Sequence, residues 1–371
     1  MYELLKTSSD PMLSRQLLTK VKQLSNRYTA QYKRLPVIME VCGSHTMALA
    51  KSGVKQALSD HVKLISGPGC PVCVTAQEEI DSMIQLSLEK EVILCTFGDM
   101  MRVPGSTITL MEAKAEGRDV RVVYSPLDAV KLAIDHPTKQ VVFLGVGFET
   151  TIPIISVAID LAEQHDVENF SVWLSTKLVE PILRTLLEEG DTAIDAFLLP
   201  GHVAMVTGSE HFDFLPKDFG VTGSITGFEP VELLSGIYEC LLSLLENDKS
   251  IKNCYKAVVS REGNRNAIRL MEQYFRLSDE NWRGLGIINN SGLRLKEEYN
   301  QFNARERFQI QTKEPPKTKC RCGEVISGKI SPSECILFGK GCTPIKPIGP
   351  CMVSTEGSCS ASYQYLQEVE A

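Results

Sequence analysis

Short β-branched runs, each ending in small or reactive residues and separated by stretches long enough for a helix, constrain this chain more than any other feature. VIMEV (37–41) runs into CGSHT, VKLIS (62–66) into GPGCPVC, VILCTF (92–97) into GDMMRVPG, VRVVY (120–124) into SPLDA, and VVFLGVGF (141–148) into ETTIP. FSVWLS (170–175) and IDAFLLPGH (194–202) continue the series, with helical stretches such as 75–90 and 176–189 between them. Strands alternating with helices predict a parallel, three-layer α/β organisation. Ligands of such sheets sit beyond the C-terminal strand ends, where most of the unusual residues of this chain fall. Neither the glycine fingerprint of a dinucleotide fold nor a P-loop signature is present, so neither nucleotide class is supported.

At 371 residues the chain suits two or three domains. Residues 13–33 predict an opening helix, and 228–248 a second strong one with an acidic start. The segment 254–275 reads as a strand, a turn and a helix, and 282–295 as glycine-broken extended chain. A boundary is expected near 135–140, with a further possible break within 208–224. QTKEPPKTK (311–319) reads as a linker. The expected division is a first α/β domain over 1–138, a second with following helices over 139–310, and a small cysteine-rich domain over 311–371.

That last unit is where sulfur concentrates. Six of the twelve cysteines, Cys320, Cys322, Cys335, Cys342, Cys351 and Cys359, fall within 40 residues rich in Gly and Pro. With few large apolar residues, such a segment needs a metal or cluster to hold it together. One intervening residue in CRCG suits a zinc knuckle poorly, whereas a four-iron cluster offers separate corners to its thiolates. A cluster, a structural zinc and inert buried cysteines all remain open on spacing alone. Two thiols beyond four would place a redox pair beside a cluster. The N-terminus lacks a basic start followed by an apolar core, and no run of 18 apolar residues exists. A cytoplasmic protein is therefore expected, where twelve cysteines favour metal or thiol chemistry over a disulfide framework. A net charge of −7 argues against nucleic acid.

GPGCPVC places Cys70 and Cys73 between a strand and a helix N-terminus, which lowers thiol pKa and suits redox chemistry or soft-metal binding. A pair of small buried residues at a tight turn is the plain alternative. Cys42 closes another strand and precedes His45, so one thiolate, one imidazole and a CxxC make a candidate soft-ligand site. His202 holds a similar strand-end position. Cys95, Cys240 and Cys254 read as core packing. Asp99, Arg102, Glu149 and Thr150 follow apolar strands directly; each reads equally as a plain surface-loop residue, with Arg102 a candidate anion holder and Glu149 a candidate for positioning a thiol or partner. Glu356, between Cys351 and Cys359, either moves protons near the redox pair or caps a turn.

Taken in order, VCGSHT, GPGCPVC, TFGDMMRVPGS, GFETTIP, LPGHV, SREGN and the tail CRCGEVISG…C…GCTP…GPCMVSTEGSCSAS resemble the HypD family of hydrogenase maturation factors, over about residues 37–362. The resemblance implies a redox-active scaffold, rather than a stand-alone metabolic enzyme, on which the Fe(CN)2CO centre of [NiFe]-hydrogenases is assembled. It implies a HypC-type chaperone, a HypE-type cyanide donor and, indirectly, the hydrogenase large subunit as partners. Cys42, Cys70 and Cys73 then match the cysteines proposed to hold the iron, and His45 the histidine of the CGxHT motif. Met47 stands where many relatives carry a second histidine. The tail matches a [4Fe-4S] domain similar to that of ferredoxin–thioredoxin reductase, with Cys320, Cys335, Cys342 and Cys359 as ligands and Cys322 with Cys351 as the dithiol. A cluster-dependent thiol–disulfide reductase and a zinc-stabilised scaffold are the alternatives. Nothing marks a self-association helix, so a monomer is expected.

Overall fold

The computed structural model describes residues 10–191, 193–311 and 314–366. The segments 1–9 and 367–371 of the expected outer domains, and 312–313 of the expected linker, lie outside the described residues. Eleven strands are described: β1 (Val37–Glu40), β2 (Lys63–Ser66), β3 (Val92–Thr96), β4 (Val120–Val122), β5 (Gln140–Gly147), β6 (Phe170–Thr176), β7 (Ala196–Pro200), β8 (Thr222–Thr226), β9 (Ile251–Asn253), β10 (Phe275–Trp282) and β11 (Gly286–Leu295). They form a five-stranded sheet in the order β2-β1-β7-β8-β9, a four-stranded sheet in the order β4-β3-β5-β6, and the hairpin β10-β11. Every pairing within the two larger sheets is parallel.

The sheets do not follow chain order. β3 and β4 pair with β5 and β6 across residue 138, and β7 returns to pair with β1. The expected boundary at 138 therefore falls inside one sheet, because a solvated turn such as DHPTKQ separates elements without separating sheets. Residues 222–226 form β8 at the end of the expected break, and β9 ends just before 254–275, whose first part reads as a strand in the sequence. TGSIT is short and its β-branched residues are interrupted by Gly and Ser, yet all five of its residues are buried in a strand paired between β7 and β9.

Helix Pro11–Tyr32 starts on Asp10, whose side chain caps it, and lays Val21, Leu24 and Tyr28 inward. With helix Pro230–Glu246 it covers the outer face of the five-stranded sheet around Ile38, Leu198 and Ile237. Helices Pro126–Asp135 and Ile152–Gln164 cover the four-stranded sheet around Phe143 and Phe170. One larger core joins both sheets: Met39 and Phe197 belong to it with Leu94 and Leu144, and so do Cys70, Cys73, Cys322 and Cys351. The reactive cysteines thus stand in the packing that unites the molecule.

The hairpin is tied down by buried charge. Lys177 Nζ lies 2.9 Å from Glu280 Oε2, both side chains are essentially inaccessible, and Arg294 reaches the same carboxylate. Trp282 at the hairpin's end is fully buried and donates to Ser291 Oγ.

Candidate thiol and metal centre

Two loops at strand C-termini build the site. β1 ends at Glu40, and Cys42 directly precedes helix Gly43–Lys51. β2 leads through Gly67–Pro68–Gly69 to Cys70, the N-cap of the short helix Pro71–Val74, whose sulfur accepts from the Cys73 amide at 3.2 Å. The two loops touch backbone to backbone. The Gly43 amide donates to the Gly69 carbonyl at 3.2 Å, and a Cβ on Gly69 would meet the Val41 carbonyl oxygen at 1.7 Å. Only glycine permits that approach. Cys70 and Cys73 form a disulfide and are 3% and 0% exposed, whereas Cys42 is a free thiol at a half-buried position.

Burial pushes the Cys42 thiol up to about 12, with the nearby Glu356 carboxylate adding to the rise and amides of His45 and Ser44 opposing it. Burial takes His45 down to about 4, so its imidazole is neutral. Its Nε2 lies 3.3 Å from the Thr226 carbonyl and donates there, which leaves buried Nδ1 without a partner. His202 stands nearby, stacked on Phe228, and Phe228 also faces His45.

The tail closes over this centre. Ser44 Oγ donates to Glu356 Oε1 at 2.5 Å, and Cys70 Sγ lies 3.3 Å from Ser354 Oγ. Asp99 accepts from Ser354 Oγ and from the Thr355 amide and hydroxyl, and Arg102 donates to the Val353 carbonyl at 3.1 Å. Asp99 and Arg102 therefore clasp the segment carrying Glu356, and Arg102 spends its guanidinium on a carbonyl where an anion had been expected. Burial raises the Glu356 carboxyl above its usual range; the Ser44 hydroxyl opposes this and Asp99 adds to it. Cys322 Sγ lies 4.0 Å from the Cys73 carbonyl, so CRCG and CxxC are packed together.

Glu149 and Thr150 do not join the thiols. Glu149 Oε1 accepts from the Val179 amide at 2.8 Å at the start of helix Val179–Glu189, and Thr150 is exposed. Cys95 and Cys240 are fully buried core residues, and Cys254 is half-buried beside Ser224.

All six tail cysteines line one small cavity with Val325, Leu337, Phe338 and Met352. Sulfurs interact in series: Cys320 with Cys322, Cys322 with Cys351, and Cys351 with Cys359. The Ile348 amide donates to Cys342 Sγ at 3.3 Å and the Cys359 amide to Cys351 Sγ at 3.2 Å. A Cβ on Gly349 would stand 2.6 Å from Cys320 Sγ. Among the described residues no three Cys, His, Asp or Glu side chains are set around one point as ligands of a single ion. Six soft donors in an apolar wall, with amides aimed at sulfur, fit an iron–sulfur cluster, whose thiolates stand at separate corners.

A further participant was hidden in the glycine-broken segment 282–295. The Arg283 amide donates to the Val74 carbonyl, its Nε to Thr75 O and its Nη1 to Gln77 Oε1, so the hairpin grips the helix behind the CxxC. Gly284 abuts Gly323 of CRCG. Burial lowers Arg283 from its usual value while the Cys322 and Cys320 charges oppose this, which places a cation beside both thiols. WRG between extended runs was the available signal, since a charged residue beside Trp in a sparse polar turn needs partners.

Comparison with known proteins follows that geometry. The family profile HypD, described as the hydrogenase formation hypA family, matches residues 13–366. This chain belongs to the HypD family. It is 43% identical over 355 residues to the hydrogenase maturation factor HypD of Escherichia coli K12, covering 95% of each chain. It is 41% identical over 362 residues to HypD of Rhodobacter capsulatus, covering 96% of each. The hydrogenase expression/formation protein HupD of Azotobacter chroococcum is 40% identical over 360 residues, 94% of this chain and 95% of that one. A HypD-family chain is thus one of the hydrogenase maturation factors. No helix among the described residues is long and apolar enough to cross a membrane.

Proposed function

We propose that this chain acts as a redox-active scaffold on which the Fe(CN)2CO centre of a [NiFe]-hydrogenase is assembled, with a HypC-type chaperone and a HypE-type cyanide donor. The observation that carries the reading is the backbone contact between the Cys42 loop and the Cys70–Cys73 disulfide loop, with His45 three residues beyond Cys42 and Cys322 of the tail packed on Cys73. Iron is the cargo. Cys42 and the reduced Cys70/Cys73 pair would hold it as soft thiolates, and His45, neutral and with Nδ1 unpartnered, is the nearest imidazole along the chain. Because burial holds the Cys42 proton up to about pH 12, iron has to displace that proton rather than meet a ready thiolate.

The disulfide cannot bind iron until two electrons and two protons convert it to two thiols. In our reading the Cys322 thiolate attacks the Cys73 sulfur, the Cys70 thiolate leaves and takes a proton, and Cys351 then attacks Cys322. That releases Cys73 as a thiol and leaves a Cys322–Cys351 disulfide, so one pair is reduced as the other is oxidised. Cys320's hydrogen bond pulls the Cys322 thiol down, but the contact with Cys351 and burial outweigh it, and Arg283 is the cation placed to favour the attacking thiolate. Cys320, Cys335, Cys342 and Cys359 would hold a [4Fe-4S] cluster, which supplies electrons one at a time when bound. The exposures of 3% and 0% at Cys70 and Cys73 weigh against a reductase serving disulfides of other proteins, since attack there needs an accessible sulfur.

Anaerobic iron and sulfide analysis joined to infrared spectroscopy, with and without the chaperone, tests this. Cyanide and carbonyl stretches are expected in the complex and lost in Cys42→Ser. Zinc in place of iron and sulfide would sink the cluster assignment, and a maturation-competent complex lacking those bands would sink the scaffold.

A further inference from the structure

The cysteine cavity lies within a basic stretch of the chain. Residues 317–346 hold six basic side chains against two carboxylates, in a chain whose net charge is −7. Arg321 is paired with Glu324, Lys329 with Glu189 and Asp191, and Glu334 is engaged by Ser331. Lys317, Lys319, Lys340 and Lys346 are exposed and form no ion pair among the described residues. Ile336 and Ile345 stand among them at 66% and 97% exposure.

These side chains are held close to the sulfur. Lys319 and Arg321 flank Cys320, and Ile336 follows Cys335. Lys340 rides the turn in which the Gly339 amide bonds to the Cys342 carbonyl and the Cys342 amide to the Leu337 carbonyl. Ile345 and Lys346 ride the next turn, closed by the Thr343 amide on Lys346 O and by the Lys346 amide on Thr343 Oγ1. Cys320 and Cys335 are only half-buried, so the cavity approaches solvent at this rim. Cys322 and Cys351, at 3% and 2% exposure, face inward toward the CxxC. The module therefore has an inner, thiol-bearing side and an outer, cationic side.

We propose that the outer rim is the docking surface for an acidic one-electron carrier protein of the ferredoxin or flavodoxin class, which recharges the tail. This rests on the cluster reading above. Unpaired lysines around a small apolar contact steer an acidic partner into a fast, weak encounter, and electron-transfer interfaces are small for that reason. Each encounter oxidises the carrier by one electron and reduces the tail by one. Two encounters and two protons from solvent convert one Cys322–Cys351 disulfide into two thiols. An anionic membrane would meet the same charges, but the sulfur behind the rim favours a redox partner.

The test uses the full chain isolated anaerobically, titrated with a reduced plant-type two-iron ferredoxin in a calorimeter. Binding should weaken by about tenfold or more between low and physiological salt, as expected for screened surface charges. Lys340→Glu with Lys346→Glu should weaken it by about tenfold at low salt, while Lys20→Glu on the distant opening helix leaves it unchanged. Iron and sulfide content and the rate of reduction by dithionite should match wild type in all variants, which separates docking from damage to the module. Salt-independent binding, equal binding by the double variant, or capture by phosphatidylglycerol vesicles without ferredoxin binding would overturn the proposal. Absence of iron and sulfide from the wild type would overturn the cluster reading alone, because the calorimetric comparison still decides the surface.

Discussion

At Glu149, burial lifts the carboxyl to about 7, although the Val179 amide on Oε1 works the other way. The native state therefore keeps a proton that the unfolded chain releases near its ordinary value. Between those two values the unfolded state binds fewer protons, so stability falls as pH rises, by about 3 kcal/mol in all. Glu149→Gln keeps the acceptor for Val179 and should flatten that part of the curve; denaturant midpoints measured across the same range check it, and an unchanged slope refutes it. Glu356 acts on Cys42 in a comparable way, since its charge adds to the rise of that thiol. Glu356→Gln should speed alkylation of Cys42 by iodoacetamide several-fold at mildly alkaline pH, because the thiolate fraction rises. A rate equal to or below wild type would show that burial alone holds the proton.

Among the elements, the β10-β11 hairpin carries a buried ion pair. Removing Lys177 would leave Glu280, 3% exposed, with Arg294 as its one remaining cation and the Ser278 hydroxyl as a further donor. Lys177→Met should cost about 3–5 kcal/mol by urea unfolding, the usual result of breaking a buried pair by one partner. A loss below about 1 kcal/mol would mean that Arg294 suffices. Gly69 sets a stricter limit. Its missing Cβ lets GPGC lie against Val41 and Cys42, and Gly69→Ala should destabilise by at least about 2 kcal/mol and separate Cys42 from Cys70. Loss of iron carriage with all three cysteines intact would report that separation. The strands were legible where β-branched residues run together, as in VILCT and VVFLG. They were not legible at TGSIT, where Gly and Ser interrupt the β-branched residues, or at IKN of β9, which is only three residues long; there the pairing with neighbouring strands completes the element.

For the whole molecule, the tail is bound to both sheets. Glu356 and Cys322 meet the CGSHT and CxxC loops of the five-stranded sheet, while Val353–Thr355 meet Asp99 and Arg102 beyond β3. On the proposed cluster reading, removing iron and sulfide with a chelator should therefore lower the melting temperature of the entire chain in one transition. Two separated transitions in a calorimetric scan would show instead that the tail unfolds by itself.

What the sequence alone determined is chemistry and local order: strands where β-branched runs occur, reactive residues at their C-terminal ends, and a sulfur-rich segment poor in large apolar residues. These depend on residue type and near neighbours, which a linear pattern records. Which strands share a sheet, the burial that keeps His45 neutral and Cys42 protonated, the place of Arg283 behind the CxxC, and the diversion of Glu149 to a helix start were decided only by tertiary structure. Each depends on groups far apart in the chain, such as Arg283 with Thr75 or Ser44 with Glu356, brought together by a core that unites both sheets. Desolvation and hydrogen bonding then act on whatever that packing encloses.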